Sequence, residues 1–108
     1  MMPDKFSYDK KLIQKVWEKA MVIQGMDPCL YRKDHCGAII RRDMYLNHSE
    51  SRSMGWEIDR IKPVSQGGSD DLPNLQPLQW ENNKRKDDEY PAWSCLVKAN
   101  EMHNNYIK

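Results

Sequence analysis

The chain has 108 residues, 31% of them charged and 39% apolar, and its 17 basic and 16 acidic residues leave a formal charge of +1. That length provides one small domain with one core, and the near-cancelled charge excludes the bulk electrostatic footprint of a nucleic-acid binder. Any such attraction has to come from local patches or a bound cation. No apolar run is long enough to span a bilayer and the N-terminus is polar rather than signal-like, so a cytoplasmic location without membrane association is expected. The three cysteines, Cys29, Cys36 and Cys95, are odd in number and form no C-x-x-C. Reduced, buried thiols are therefore expected, and no structural zinc.

In chain order, residues 1–7 carry Pro3 among mixed polar residues and are expected to fray. From about 8 to 24, Leu12, Ile13, Val16, Trp17, Ala20 and Met21 recur at helical intervals, which predicts an amphipathic helix stopped near Gly25. Lys10, Lys11, Lys15 and Lys19 crowd its other side as a solvated face. Asp27-Pro28 opens a connection running through Tyr31 to Asp34, and Cys36 to Arg42 reads as a short strand after a turn. Arg32, Lys33, Arg41 and Arg42 make the densest basic grouping outside the centre, and Arg41 and Arg42 are candidate phosphate contacts. Residues 45–55 are polar and irregular and read as a loop; His35 and His48 lie in these connections. After Tyr90-Pro91, the apolar residues Leu96, Val97, Ala99 and Met102 predict a second helix over about 93–104.

The stretch Trp56–Asp88 organises the rest. Trp56 to Ile61 has strand character and is closed by Lys62-Pro63, because proline cannot continue an interior ladder. Strict alternation puts Asp59 and Arg60 on opposite faces, so both reach one site only if the strand bends at its end. Gln66-Gly67-Gly68-Ser69 makes a tight turn, and Leu75 to Leu78 is a second extended piece whose Pro77 places it at an edge. Trp80 to about Asp88 then has helical character. On that helix Asn83 and Asp87 are one turn apart and share a face, where both can address one ion. Asp59 and Asn83 supply the oxygen ligands a hard divalent cation prefers, with room left for water and phosphate.

At these residues the sequence resembles the HNH endonuclease family, built on a ββα-metal unit. The pattern of an acid, a histidine, Ile-x-Pro, a Gly-Gly loop, Asn-Leu-x-x-Leu and a terminal Asn followed by Lys is matched by Asp59, Ile61, Pro63, Gly67, Gly68, Asn74, Leu75, Leu78, Asn83 and Lys86. A "CGA-I" stretch upstream matches a subset of the family more loosely. The resemblance implies an α+β domain over 1–108, with a core unit at about 55–88 and flanking helices. It further implies hydrolysis of phosphodiesters in DNA, most naturally double-stranded, with Mg2+ or Mn2+, or Zn2+, as the working ion. Position by position, Asp59 and Asn83 match metal ligands, Asp87 a further ligand of some relatives, and Asn74 the asparagine that braces the loop and orients the base. Lys62, Lys84, Arg85 and Lys86 are the basic residues at hand for the DNA backbone. Many relatives carry a structural zinc whose second cysteine pair would fall at Gln79 and Asn82, so this chain lacks it, and apolar burial around Trp80 and the flanking helices is expected to replace it.

Arg60 departs from the pattern. The family's general-base histidine belongs there, and an arginine with a reference pKa above about 12 cannot take a proton near neutral pH. Three readings stay open: an inactivating substitution that leaves metal and DNA binding, a guanidinium on the scissile phosphate while another group takes the proton, and a base supplied by His48 or His35 from a neighbouring loop. The expected function is accordingly an HNH-type endonuclease, with a catalytically inactive DNA-binding or partner-binding module as the alternative. An additional protein partner for targeting is compatible with either.

Overall fold

The computed structural model describes residues 8–108, so the expectation of a fraying segment at 1–7 lies outside them. Helix α1 (Lys10–Trp17) begins at Asp9, whose carboxylate accepts from the Leu12 amide at 2.8 Å and satisfies one of the amides that a helix start leaves unpaired. Val16, Trp17 and Ala20 are buried, with Leu12 and Ile13 packed beside them. The helix ends at Trp17 rather than near Gln24. Beyond it, Arg32 Nη1 donates to Glu18 O at 3.2 Å and Ala20 O at 3.1 Å, so these carbonyls are met by a distant side chain and not by a further helical turn. Met21–Val22 then forms β1, which joins β2 (Tyr31–Lys33) and β3 (Ile39–Arg41) in an antiparallel sheet ordered β1-β2-β3.

Strands β4 (Trp56–Arg60) and β5 (Leu75–Gln79) pair antiparallel, from Trp56 opposite Gln79 to Arg60 opposite Leu75, and α2 (Trp80–Lys86) follows β5 without a break. In this sheet β5 pairs with β4 alone, so its other side is an edge, which is where Pro77 belongs. Alternation along β4 divides its side chains. Trp56 and Ile58 enter the core with Tyr8, Trp17, Ile40 and Leu75, and Trp56 packs on Trp17 and Tyr45 at ring separations of 5.3 and 4.9 Å. Glu57 and Asp59 take the opposite face. The loop between the strands depends on its glycines: Gly67 has φ +92°, and a Cβ on Gly68 would fall 1.6 Å from Lys62 O, so no larger residue fits there. Asn74 ties the same loop together, accepting from the Lys62 amide at 2.9 Å and donating to Lys62 O and Ser69 O at 3.0 and 2.7 Å.

The expected C-terminal helix is a hairpin instead, β6 (Val97–Asn100) and β7 (His103–Tyr106). Val97 and Ala99 share one strand face, and only Glu101 and Met102 separate the paired ends Asn100 and His103. Glu101 takes φ 57° in that turn. Asn104 docks the hairpin by exchanging hydrogen bonds with Ile39, receiving from its amide at 2.8 Å and donating to its carbonyl at 2.9 Å. A spacing that suits one helix face was in fact strand alternation interrupted by a two-residue turn.

The cysteine expectation is likewise corrected. Cys36 and Cys95 form a disulfide, and Cys29 is free and exposed. The bridge lies beside a buried polar knot. Asp34 Oδ1 accepts from the Cys36 and Ala38 amides, both at 2.9 Å, and Oδ2 accepts from the Gln79 amide at 2.9 Å and Asn82 Nδ2 at 3.1 Å. Asn82 extends the knot to the last hairpin, donating to Val97 O and accepting from the amides of Leu96 and Val97. Gln79 and Asn82 thus meet a carboxylate, so hydrogen bonds and the neighbouring disulfide stand beside the apolar burial expected there. The result is an α+β domain with two helices and three small antiparallel sheets among the described residues. No helix among them is long and apolar enough to cross a membrane.

Candidate functional site

The outward face of β4, the start and end of α2 and the loop before β4 enclose a pocket of about 570 Å3. Glu57 and Asp59 form its floor, each 5% exposed, and Asn83 closes one side at 7%. Burying carboxylates is costly unless they are paired or hydrogen-bonded, and both are. Asp59 Oδ2 accepts from Gln76, its cross-strand neighbour, at 2.9 Å, and Asp59 Oδ1 lies 3.3 Å from Lys86 Nζ. Glu57 Oε1 accepts from Asn83 Nδ2 at 2.6 Å, while Oε2 lies 3.0 Å from His48 Nε2.

The sequence-predicted metal residues Asp59, Asn83 and Asp87 therefore all line one pocket. Asn83 spends its amide hydrogen on Glu57, which leaves Oδ1 as the oxygen available to a cation. Asp87 caps α2 at φ 49° and is exposed at the mouth. The donor set fits a hard cation that keeps water or phosphate as its remaining ligands. Among the described residues, no group of three or more His, Cys, Asp or Glu could hold one by itself. Asn74 stands apart from the pocket lining as the brace of the β4–β5 loop.

Alternation also decides where Arg60 points. Its Nε lies 2.7 Å from Asp70 Oδ1 and its Nη2 3.2 Å from Asp70 Oδ2, and Tyr8 donates to the same Oδ1 at 2.6 Å. Burial pushes the Asp70 carboxyl up, but the hydrogen bonds from Arg60 and Tyr8 outweigh it and hold the group below the usual carboxylate range. Burial and the bond to Asp70 raise the Tyr8 phenol in turn. The guanidinium is thus engaged as a two-toothed partner of Asp70, although Arg60 still contributes to the pocket wall.

The basic residues separate into distinct settings. Lys62, Lys84 and Arg85 are exposed, and Lys84 lines the pocket. Lys86 is turned inward at 1% exposure, its ammonium donating to Arg60 O at 3.0 Å beside Asp59. It acts as an internal counter-charge rather than a surface contact for DNA. Arg41 pairs with Asp43, and Arg42 donates to Gln14 and lies over Trp56; neither lines the pocket. Lys19, expected in a solvated face, donates to Leu72 O at 2.8 Å and also to Leu75 O. His35 lies against Trp93, away from the pocket, whereas His48 lines it.

Glu57 is the site residue that the sequence reading missed. Its signal was the two-residue alternation with Asp59, which places both carboxylates on one face of β4. Scans against protein-family models, curated proteins and solved structures return no match for this chain.

Proposed function

We propose that the chain is a metal-dependent endonuclease of the HNH type, hydrolysing phosphodiester bonds in double-stranded DNA. The observation that carries this reading is the meeting of Asp59 and Asn83, from β4 and α2, in one open pocket with an uncommitted Asn83 oxygen. Asp59 and Asn83 would hold a divalent cation at these oxygens, and it would supply stabilisation of the charge that develops on the phosphodiester. Asp59 contributes the negative charge that attracts the ion, with Gln76 and Lys86 fixing its carboxylate. Glu57 fixes Asn83. Lys62, Lys84 and Arg85 provide exposed positive charge for the backbone of the substrate. Arg60, permanently charged and paired with Asp70, shapes the wall and accepts no proton.

A second reading, a non-catalytic DNA-binding or partner-binding module on the same fold, draws on that engaged Arg60 at the position where the family keeps its base. A plasmid-nicking assay with Mg2+ or Mn2+ separates the two. The proposal expects metal-dependent nicking that falls about 10²–10³-fold in Asn83→Ala, the scale of losing one group that stabilises developing charge. Cleavage that persists in Asn83→Ala refutes the site assignment. DNA binding without any cleavage, persisting in the absence of metal and weakening with salt, supports the module instead.

A further inference from the structure

We propose that His48 is the catalytic base of this site and that Glu57 is its positioning residue, an inference that rests on the nuclease reading above. One buried carboxylate, Glu57, bridges Asn83 Nδ2 at 2.6 Å and His48 Nε2 at 3.0 Å. The imidazole is therefore held one carboxylate's breadth from the asparagine that faces the cation. An acceptor-only carboxylate oxygen 3.0 Å from Nε2 favours the tautomer with hydrogen on Nε2 and the lone pair on Nδ1. Nδ1 has no hydrogen-bond partner among the described residues. The side chain is 40% exposed, enough for a water molecule to reach it.

The ring is also fixed in plane and in place. It stacks on Trp80 at 5.2 Å with 16° between the planes. Its loop is pinned from both sides: Leu46 donates to Trp56 O at 2.8 Å, Gln79 Nε2 to Ser53 O at 3.0 Å, and Trp80 Nε1 to Ser53 Oγ at 3.1 Å. The Arg52 amide donates to Glu81 on α2. The irregular segment is thereby tied to β4, β5 and α2 on either side of one histidine, the kind of support that a positioned general base needs. In the step itself, a water gives a proton to His48 Nδ1 as its oxygen forms a bond to phosphorus. The bond from phosphorus to the leaving deoxyribose oxygen breaks, and that oxygen takes a proton from a second water. The products are a phosphomonoester and a free hydroxyl, and His48 returns its proton to solvent.

The test uses plasmid nicking with Mn2+ on the full chain, calorimetric Mn2+ titration and 15N spectroscopy of the imidazole. His48→Ala is expected to nick about 10²–10⁴-fold more slowly, to recover part of that loss with added imidazole, and to bind Mn2+ like the parent. Metal-free parent protein is expected to show the Nε2–H tautomer, and Glu57→Gln to lose that preference. Parental nicking by His48→Ala alongside an inactive Asn83→Ala overturns the base assignment and leaves the nuclease reading standing. Loss of Mn2+ binding in His48→Ala, or loss of nicking without imidazole rescue, overturns it as well, by making His48 a ligand or a structural residue. A parent that does not nick, or an Asn83→Ala that nicks like the parent, overturns the nuclease reading and this inference together.

Discussion

Two buried polar clusters meet at α2, one through Asn82 and the other through Asn83, and they differ in one respect. In the knot, Asp34 accepts four hydrogen bonds and Asn82 spends both ends of its amide, with Asp34 1% and Asn82 0% exposed. In the pocket, Glu57 and Asp59 are nearly as buried, yet the cluster keeps Asn83 Oδ1 and His48 Nδ1 without protein partners among the described residues. A satisfied network rigidifies and does nothing else. One that leaves lone pairs facing an opening can accept a ligand or a proton. The contrast separates scaffold from chemistry more cleanly than residue type does, since both clusters are made of carboxylates and asparagines.

Stability measurements sharpen that contrast. Asp34→Ala strands four buried donors and is expected to cost at least about 3 kcal/mol in urea unfolding; a loss under about 1 kcal/mol would remove the knot from the scaffold. Cys95→Ser releases a link between residues 59 apart in sequence and is expected to cost about 2–4 kcal/mol, read as a shift in the same unfolding midpoint.

The pH dependence has opposite signs for two carboxylates. Asp70 has a lowered folded pKa, so its contribution is present above the unfolded carboxylate range and is lost as pH falls through the lowered value. Burial raises Asp34 against its hydrogen bonds, so the folded state favours its protonated form and loses stability as pH rises through that range. Urea midpoints followed between about pH 7 and about pH 3 are expected to show a shallower acid loss in Asp70→Asn, and a steeper one in Asp34→Asn, because removing Asp34 removes the term that opposes the loss. Equal slopes in both variants would contradict the assignment. Asn83→Ala takes one donor from the buried Glu57 carboxylate and is expected to cost about 1–3 kcal/mol while nicking collapses. A larger unfolding shift there would return Asn83 to the scaffold.

Much of the pocket was legible because its parts are local. Gly67, Gly68 and Pro63 punctuate the strands, Asn74 sits where the loop needs bracing, and Asp59 and Asn83 fall on a recognisable spacing. Other features depended on distant residues. Nothing near Trp17 marks the end of α1, and the carbonyls just beyond it are met by Arg32 from another strand. The disulfide joins Cys36 to Cys95 across most of the chain, and the last hairpin is held by Asn104 reaching Ile39. His48 was one of two equivalent loop histidines until the fold put it on Trp80 and left His35 elsewhere. Lys86 looked like part of a basic run, but its position on α2 directs it inward.

That buried lysine bears on how the pocket is filled. The Lys86 ammonium, 3.3 Å from Asp59 Oδ1 and donating to Arg60 O, gives the carboxylate a positive partner within the protein. The same charge would repel an arriving cation and weaken the empty protein's hold on it. If the ion binds as proposed, a phosphate from DNA must help retain it, and affinity for metal and for DNA rise together by the same factor. The protein would then hold a free cation more weakly than one that arrives with a nucleic-acid backbone, and its substrate would tighten the site.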